Sequence, residues 1–129
     1  RFAPVEDLLL AILRPALPAA TVGTLIPATM PYPFVLARRA GGASLDERFL
    51  DNPLVDVQVW AQSDSAAGNL SADARFALVT AWRSQTVVPG VGSIARFRDS
   101  AGPTLLPDDT VPNGVYRYQA TYELAIRAL

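Results

Sequence analysis

Hydrophobic positions along the chain change period several times, and each change marks an element. Val5, Leu8, Leu9 and Ile12 recur at the spacing of one helix face, which predicts a helix over residues 4–14. Pro4 suits the first helical position, Glu6 and Asp7 favour the positive N-terminal end, and Arg14 suits the other end. Pro15 is expected to stop the helix, because proline disfavours helical geometry at the residue before it. Leu10, Ala11 and Leu13 leave the opposite face apolar too, so this helix is expected to pack on both sides.

Residues 15–33 are Pro-rich and irregular, with a short strand expected at 21–25. Residues 34–39 read as a strand, and 54–61 as the clearest one. There Val55, Val57 and Val59 alternate with Asp56, Gln58 and Trp60, a period of two with β-branched residues on one face. The stretch 40–53 contains Gly41-Gly42 and reads as a long connection within an antiparallel pair. Ser63 or Asp64 can cap a second helix running to about residue 85. Its expected buried stripe is Leu70, Ala74, Ala77, Leu78 and Ala81, small enough to let it lie close on a sheet.

Pro89-Gly90 breaks the chain, residues 91–98 read as a strand, and 99–114 as a long loop around Leu105-Leu106. A long last strand over 115–127 puts Tyr116, Tyr118, Ala120, Tyr122, Leu124 and Ile126 on one face. The predicted class is α+β, a mostly antiparallel sheet of four to five strands with two helices packed on it, in the order α-(β)-β-β-α-β-β. Residues 1–129 are expected to form a single domain.

Composition adds a second expectation. Hydrophobic residues make up 50% of the 129 positions and charged residues only 18%, where roughly 25% is ordinary. With a mean hydropathy of +0.22, so few charges leave apolar surface for a neighbour to cover. An oligomer is therefore expected in preference to an Ala-rich monomer. The net charge of −1 speaks against broad attraction to nucleic acid or anionic membrane. Arg1 is the only positive charge before Glu6 and Asp7, and the apolar run 8–13 is short for a bilayer, so neither a signal peptide nor a membrane span is expected.

The chain contains no His, no Cys and no Lys. That excludes Ser-His-Asp and Cys-His nucleophile systems, Schiff-base lysines, the P-loop lysine, and zinc sites of the usual kind. The acidic pairs Glu6-Asp7, Asp46-Glu47 and Asp108-Asp109 read as a helix start and solvated loops rather than catalytic carboxylates. No enzyme activity and no cofactor or metal are expected. Gly90-Val91-Gly92 lacks the third glycine and the setting of a dinucleotide loop. Arg38-Arg39, with Arg96 and Arg98, could line up for phosphate contact, but pairing of Arg38 or Arg39 with Asp56 across neighbouring strands is the favoured reading. Trp60, Trp82 and the tyrosine row read as core. Phe49-Leu50 and Leu105-Leu106 are apolar pairs in polar surroundings. With Leu10 and Leu13 they are the candidate contacts to other subunits.

The order of segments then becomes specific. Pro33-Phe34-Val35-Leu36-Ala37-Arg38-Arg39-Ala40-Gly41-Gly42 is followed by Pro53-Leu54-Val55-Asp56-Val57-Gln58-Val59-Trp60-Ala61 and by the helix holding Ala74-Arg75. Val88-Pro89-Gly90-Val91-Gly92, Gly102-Pro103 and Arg117-Tyr118-Gln119-Ala120-Thr121-Tyr122 complete the pattern. This succession resembles tail-terminator proteins of long-tailed bacteriophages of actinobacteria. The resemblance implies a structural virion protein of the tail and neck, with no catalytic motif. It implies a homo-oligomeric ring, six-fold in related proteins, that caps the tail tube, stops tube polymerisation and meets the head-tail connector proteins. DNA would pass through the lumen without its sequence being read, and no membrane is involved. Rival readings are another neck component such as a head-completion or connector adaptor, a small-molecule binding module built on the tyrosine face and the two tryptophans, and an enzyme working with acids alone.

Overall fold

The computed structural model describes residues 4–46, 50–106 and 114–127. Helix α1 (Val5–Ala16) is followed by strands β1 (Thr21–Gly23), β2 (Phe34–Asp46) and β3 (Leu50–Ala61), helix α2 (Asp64–Arg83), and strands β4 (Ser93–Leu105) and β5 (Tyr116–Arg127). The five strands form one sheet in the order β1-β2-β3-β5-β4. All neighbours are antiparallel except β1, which pairs parallel with β2 in the register Thr21↔Phe34. The sheet is thus mixed, with its one parallel pair at an edge.

Both helices cover the same face. Val35 and Ala37 of β2, Val55, Val57 and Val59 of β3, and Ala120, Tyr122, Leu124 and Ile126 of β5 are buried beneath them, as the alternation predicts. From α1 come Val5, Leu8, Leu9 and Leu13, each almost fully buried. Burial of such a side chain is worth about 1.5–3 kcal/mol. Leu13 and Leu17, one helical turn apart and both buried, carry the helix past Pro15 to Ala16. The proline costs a bond to the carbonyl of Ala11, but Leu17 N–H still donates to Leu13 O at 2.9 Å. The expected stop at Arg14 is corrected on that ground. Ile12 is only half-buried, so the core face runs through Leu13 instead.

The side chain of Ser63 caps α2 by accepting from Ala66 N–H at 3.1 Å. At the other end Thr86 N–H donates to Ala81 O and Gln85 N–H to Trp82 O, each at 3.0 Å, closing the helix with Gln85 in a left-handed conformation. Ala67, Ser71, Ala74, Ala77, Leu78 and Ala81 face the sheet; Leu70 sits at the margin of this stripe, half-buried.

Two expected loops are strand. Residues 40–46 and 50–53 continue the β2–β3 ladder, with register shifts between Arg39 and Gly41 and between Ser44 and Asp46. Backbone pairing needs no side-chain alternation, and a two-pronged ion pair from Arg39 to Asp51, 2.7 and 3.1 Å, locks this extension. Likewise β4 runs on to Leu105, pairing through bulges as far as Leu105↔Tyr118. The bulges scramble the period that sequence reading depends on.

Candidate functional site

Among the described residues the most exposed apolar side chains lie in two places, with Leu105 on β4 and Tyr116 on β5 exposed to a lesser degree. On the helical layer, α1 and α2 approach through small residues and leave a groove of about 540 Å³ between them, continued by the chain after α2. Ile12, Pro15, Ala16, Phe76, Ala81 and Val88 are among its lining, and Asp73 is the only charged residue there among the described residues. Phe76 is 70% exposed and the nearby Val87 53%. The second place is the β1–β2 connection, where Leu25 is 74% and Ile26 58% exposed. Residues 17–37 contain no Asp, Glu or Arg. Large apolar side chains on an uncharged segment are the kind of surface on which protein interaction sites are built.

The sheet face without helices is different. Phe34, Leu36 and Trp60 form a small buried cluster there, joined by Met30, Tyr32 and Val115. Beside it runs a polar row. Arg117 lies over the Trp60 ring at 5.5 Å and donates to Gln58 Oε1 at 2.6 and 3.0 Å. Gln58 Nε2 donates to Asp56 Oδ2 at 2.7 Å, and Gln119 Nε2 donates to Asp56 Oδ1 at 3.0 Å. Gln58 is 6% exposed, and its amide is satisfied on both sides.

Electrostatics elsewhere tie elements together. Arg75 on α2 meets Asp99 on β4 at 2.6 and 2.9 Å and lies over the Phe97 ring. Their hydrogen bonds lower the Asp99 carboxyl below its usual range and raise the guanidinium. Tyr118 Oη donates to Asp64 Oδ1 at 2.6 Å, which raises its phenol. Burial pushes the Tyr122 phenol up to about 12, and its buried hydroxyl has no hydrogen-bond partner among the described residues.

The predicted contact residues fare unequally. Leu13 has no exposed surface, so it serves the core of its own chain and is withdrawn as a subunit contact. Leu10 is half-buried against the same core. Leu105 is 42% exposed near the end of β4, and Leu106 is half-buried beside it. Leu50 opens β3, pairing with Asp46 and Arg127 in register, while Phe49 lies outside the described residues. Leu25, Ile26 and Phe76 were missed. The charge-free stretch 17–37 was the available signal for the first two; Phe76, between Arg75 and Ala77 on a helix read as inward-facing, gave none.

The cross-strand pairing holds in register, without an ion pair between Arg38 and Asp56 among the described residues. Arg38 does stand opposite Asp56 in register, but that carboxylate is taken by Gln58 and Gln119, and Arg39 reaches Asp51 instead. Arg38 on β2 and Arg96 and Arg98 on β4 are separated by β3 and β5, so they form no strip. Glu6 accepts from the backbone N–H of Arg39 at 2.9 Å, an ordinary edge-strand contact. Among the described residues no three acidic groups come together to hold a metal, and no helix is long and apolar enough to cross a membrane. Trp60 and Trp82 belong to opposite faces of the sheet, so no pocket unites them.

The profile of the family described as phage tail termination protein matches residues 1–128. No curated protein matches the chain in sequence. In fold it is similar to a chain of the virion of a native gene transfer agent particle, at 13% identity and a TM-score of 0.49, covering 92% of this chain and 86% of that one.

Proposed function

The chain belongs to the phage tail termination protein family, and from that premise we propose that its copies close into a ring on the end of the tail tube. It is a structural protein of the phage tail. In this reading a six-fold ring ends the addition of tube subunits and offers its far rim to the head's connector, while DNA threads the lumen unread. The protein does no chemistry in that role. The observation that supports assembly is the exposed apolar surface: Leu25, Ile26, Phe76 and Val87 are each more than half exposed on a folded subunit. A lone subunit gains nothing from them.

Purified protein mixed with tail tubes and viewed by electron microscopy tests this directly. Density at one tube end, and tubes that no longer lengthen when tube subunits are added, is the expected result. Density along the walls with bare ends and unchanged elongation refutes the terminator role. Cosedimentation with emptied heads and not with tails would assign the protein to the head side of the neck instead.

A further inference from the structure

We propose that the helix-free face of the sheet is a phosphate-contacting surface for double-stranded DNA; the inference deepens the ring reading, on which it rests for DNA being within reach. Strand register sorts the charges by face. Paired residues share a side, so Arg38 with Asp56, Arg98 with Glu123, and Arg96 opposite Ala125 all stand on the helix-free face. Arg117, opposite Trp60, joins them, and Arg127 does so by alternation along β5. Among the described residues Asp56 and Glu123 are the only acids on this face, and Asp56 is held by the amides of Gln58 and Gln119. Arg38, Arg96, Arg98 and Arg127 are exposed and have no ion-pair partner among the described residues. The helical layer has the opposite balance. Glu6, Asp7, Asp64 and Asp73 stand there against Arg14 and Arg83, while Arg75 is paired with Asp99. A nearly neutral total thus hides charge separated by layer, and a local field of one sign attracts its counter-ion whatever the sum.

The make-up of the face selects a nucleic acid over an acidic protein. Protein interfaces keep an apolar centre inside a polar rim. Here Phe34, Leu36 and Trp60 are already buried, with Met30, Tyr32 and Val115 packed against them. Leu105 and Tyr116, the exposed large apolar residues of the strands, belong by register and alternation to the other side of the sheet. What remains is polar and cationic, the character of a nucleic-acid contact. The arginines are also spread rather than gathered, since β2 and β4 are separated by β3 and β5, a width of about 14 Å at the usual strand spacing. Such a spread suits a polymer carrying a charge about every 1.7 Å of its axis better than it suits one carboxylate or one free phosphate. A flat sheet face presents no helix or ribbon to enter a groove, so the contact stops at the phosphates and reads no sequence.

Fluorescence anisotropy of a labelled short DNA duplex, titrated with the protein at low ionic strength, tests this. Arg96→Gln with Arg98→Gln should weaken binding on the order of tenfold or more and lower the slope of log affinity against log salt by about 2. Adding Arg38→Gln should weaken it further. Arg14→Gln with Arg83→Gln removes the same charge from the helical layer and should change binding little, both double variants being checked for folding by circular dichroism. Two duplexes of unrelated sequence should bind alike. Wild-type protein that does not bind the duplex overturns the inference, as does an equal loss in the two double variants. Tighter binding to polyglutamate than to duplex of equal charge overturns it in favour of an acidic protein. Tube ends capped by a protein that ignores the duplex leave the ring reading standing without this inference. Duplex bound through Arg96 and Arg98 by a protein that never caps tubes removes the ring and leaves the surface.

Discussion

Gly92 lies just before β4 with a φ of 149°, and a Cβ there would run into the carbonyl oxygen of Arg127. No flexible side chain can yield, because the obstacle is backbone. Gly92→Ala is therefore expected to cost about 1–3 kcal/mol, read as a lower urea midpoint. Tyr122 presents the opposite case. Its ring packs 5.0 Å from Phe97 in the core, but its hydroxyl is buried without a partner. An unsatisfied buried group costs about 1–3 kcal/mol, so Tyr122→Phe is expected to stabilise by ~1 kcal/mol. The raised phenol also fixes a pH dependence. Unfolded chains ionise tyrosine near pH ~10, whereas this one holds its proton to about 12. Its contribution is complete below the unfolded value and drains away as pH climbs between the two. Alkaline unfolding of the wild type should show this loss, and Tyr122→Phe should lack it.

At the scale of elements, the N-terminus of α2 is capped by the side chain of Ser63. Ser63→Ala leaves Ala66 N–H without its 3.1 Å partner and is expected to cost about 1 kcal/mol, again by urea titration. Elements were legible in the sequence where burial imposed a period. The valine alternation of β3 did so, and so did the face of β5 from Ala120 to Ile126, whereas Tyr116 on that face is exposed and Tyr118 only partly buried. Strand extensions past Arg39 and Arg98 left no such trace: ladders interrupted by bulges are held by backbone bonds that any sequence supplies. The end of α1 misled for a related reason. A local rule about Pro15 was outweighed by two leucines in the core, and only the packing reveals which prevails. The exposed apolar surface was legible in position only where charge is missing from a whole stretch, as over 17–37, and not at Phe76.

For the whole molecule, the apolar character of its exposed surface predicts how the proposed self-association responds to solvent. Sulfate, which is excluded from protein surfaces, is expected to strengthen self-association, and sodium chloride to change it little. Sedimentation velocity in the two salts measures this, and a steep weakening with sodium chloride would mean that charge carries the contact. Strand direction adds a last point. The start of β3 lies beside the end of β5, in the pair Leu50↔Arg127, and the end of β3 beside the start of β5, in Ala61↔Tyr116. The passage from β2 to β3 and the passage from β4 to β5 therefore leave the sheet at opposite poles. In the proposed ring, with its axis along the strands, rotation would keep every copy the same way up and repeat each pole around its own rim. Such a collar has an obverse and a reverse, and a tube and a connector approaching from either side would never meet the same loop.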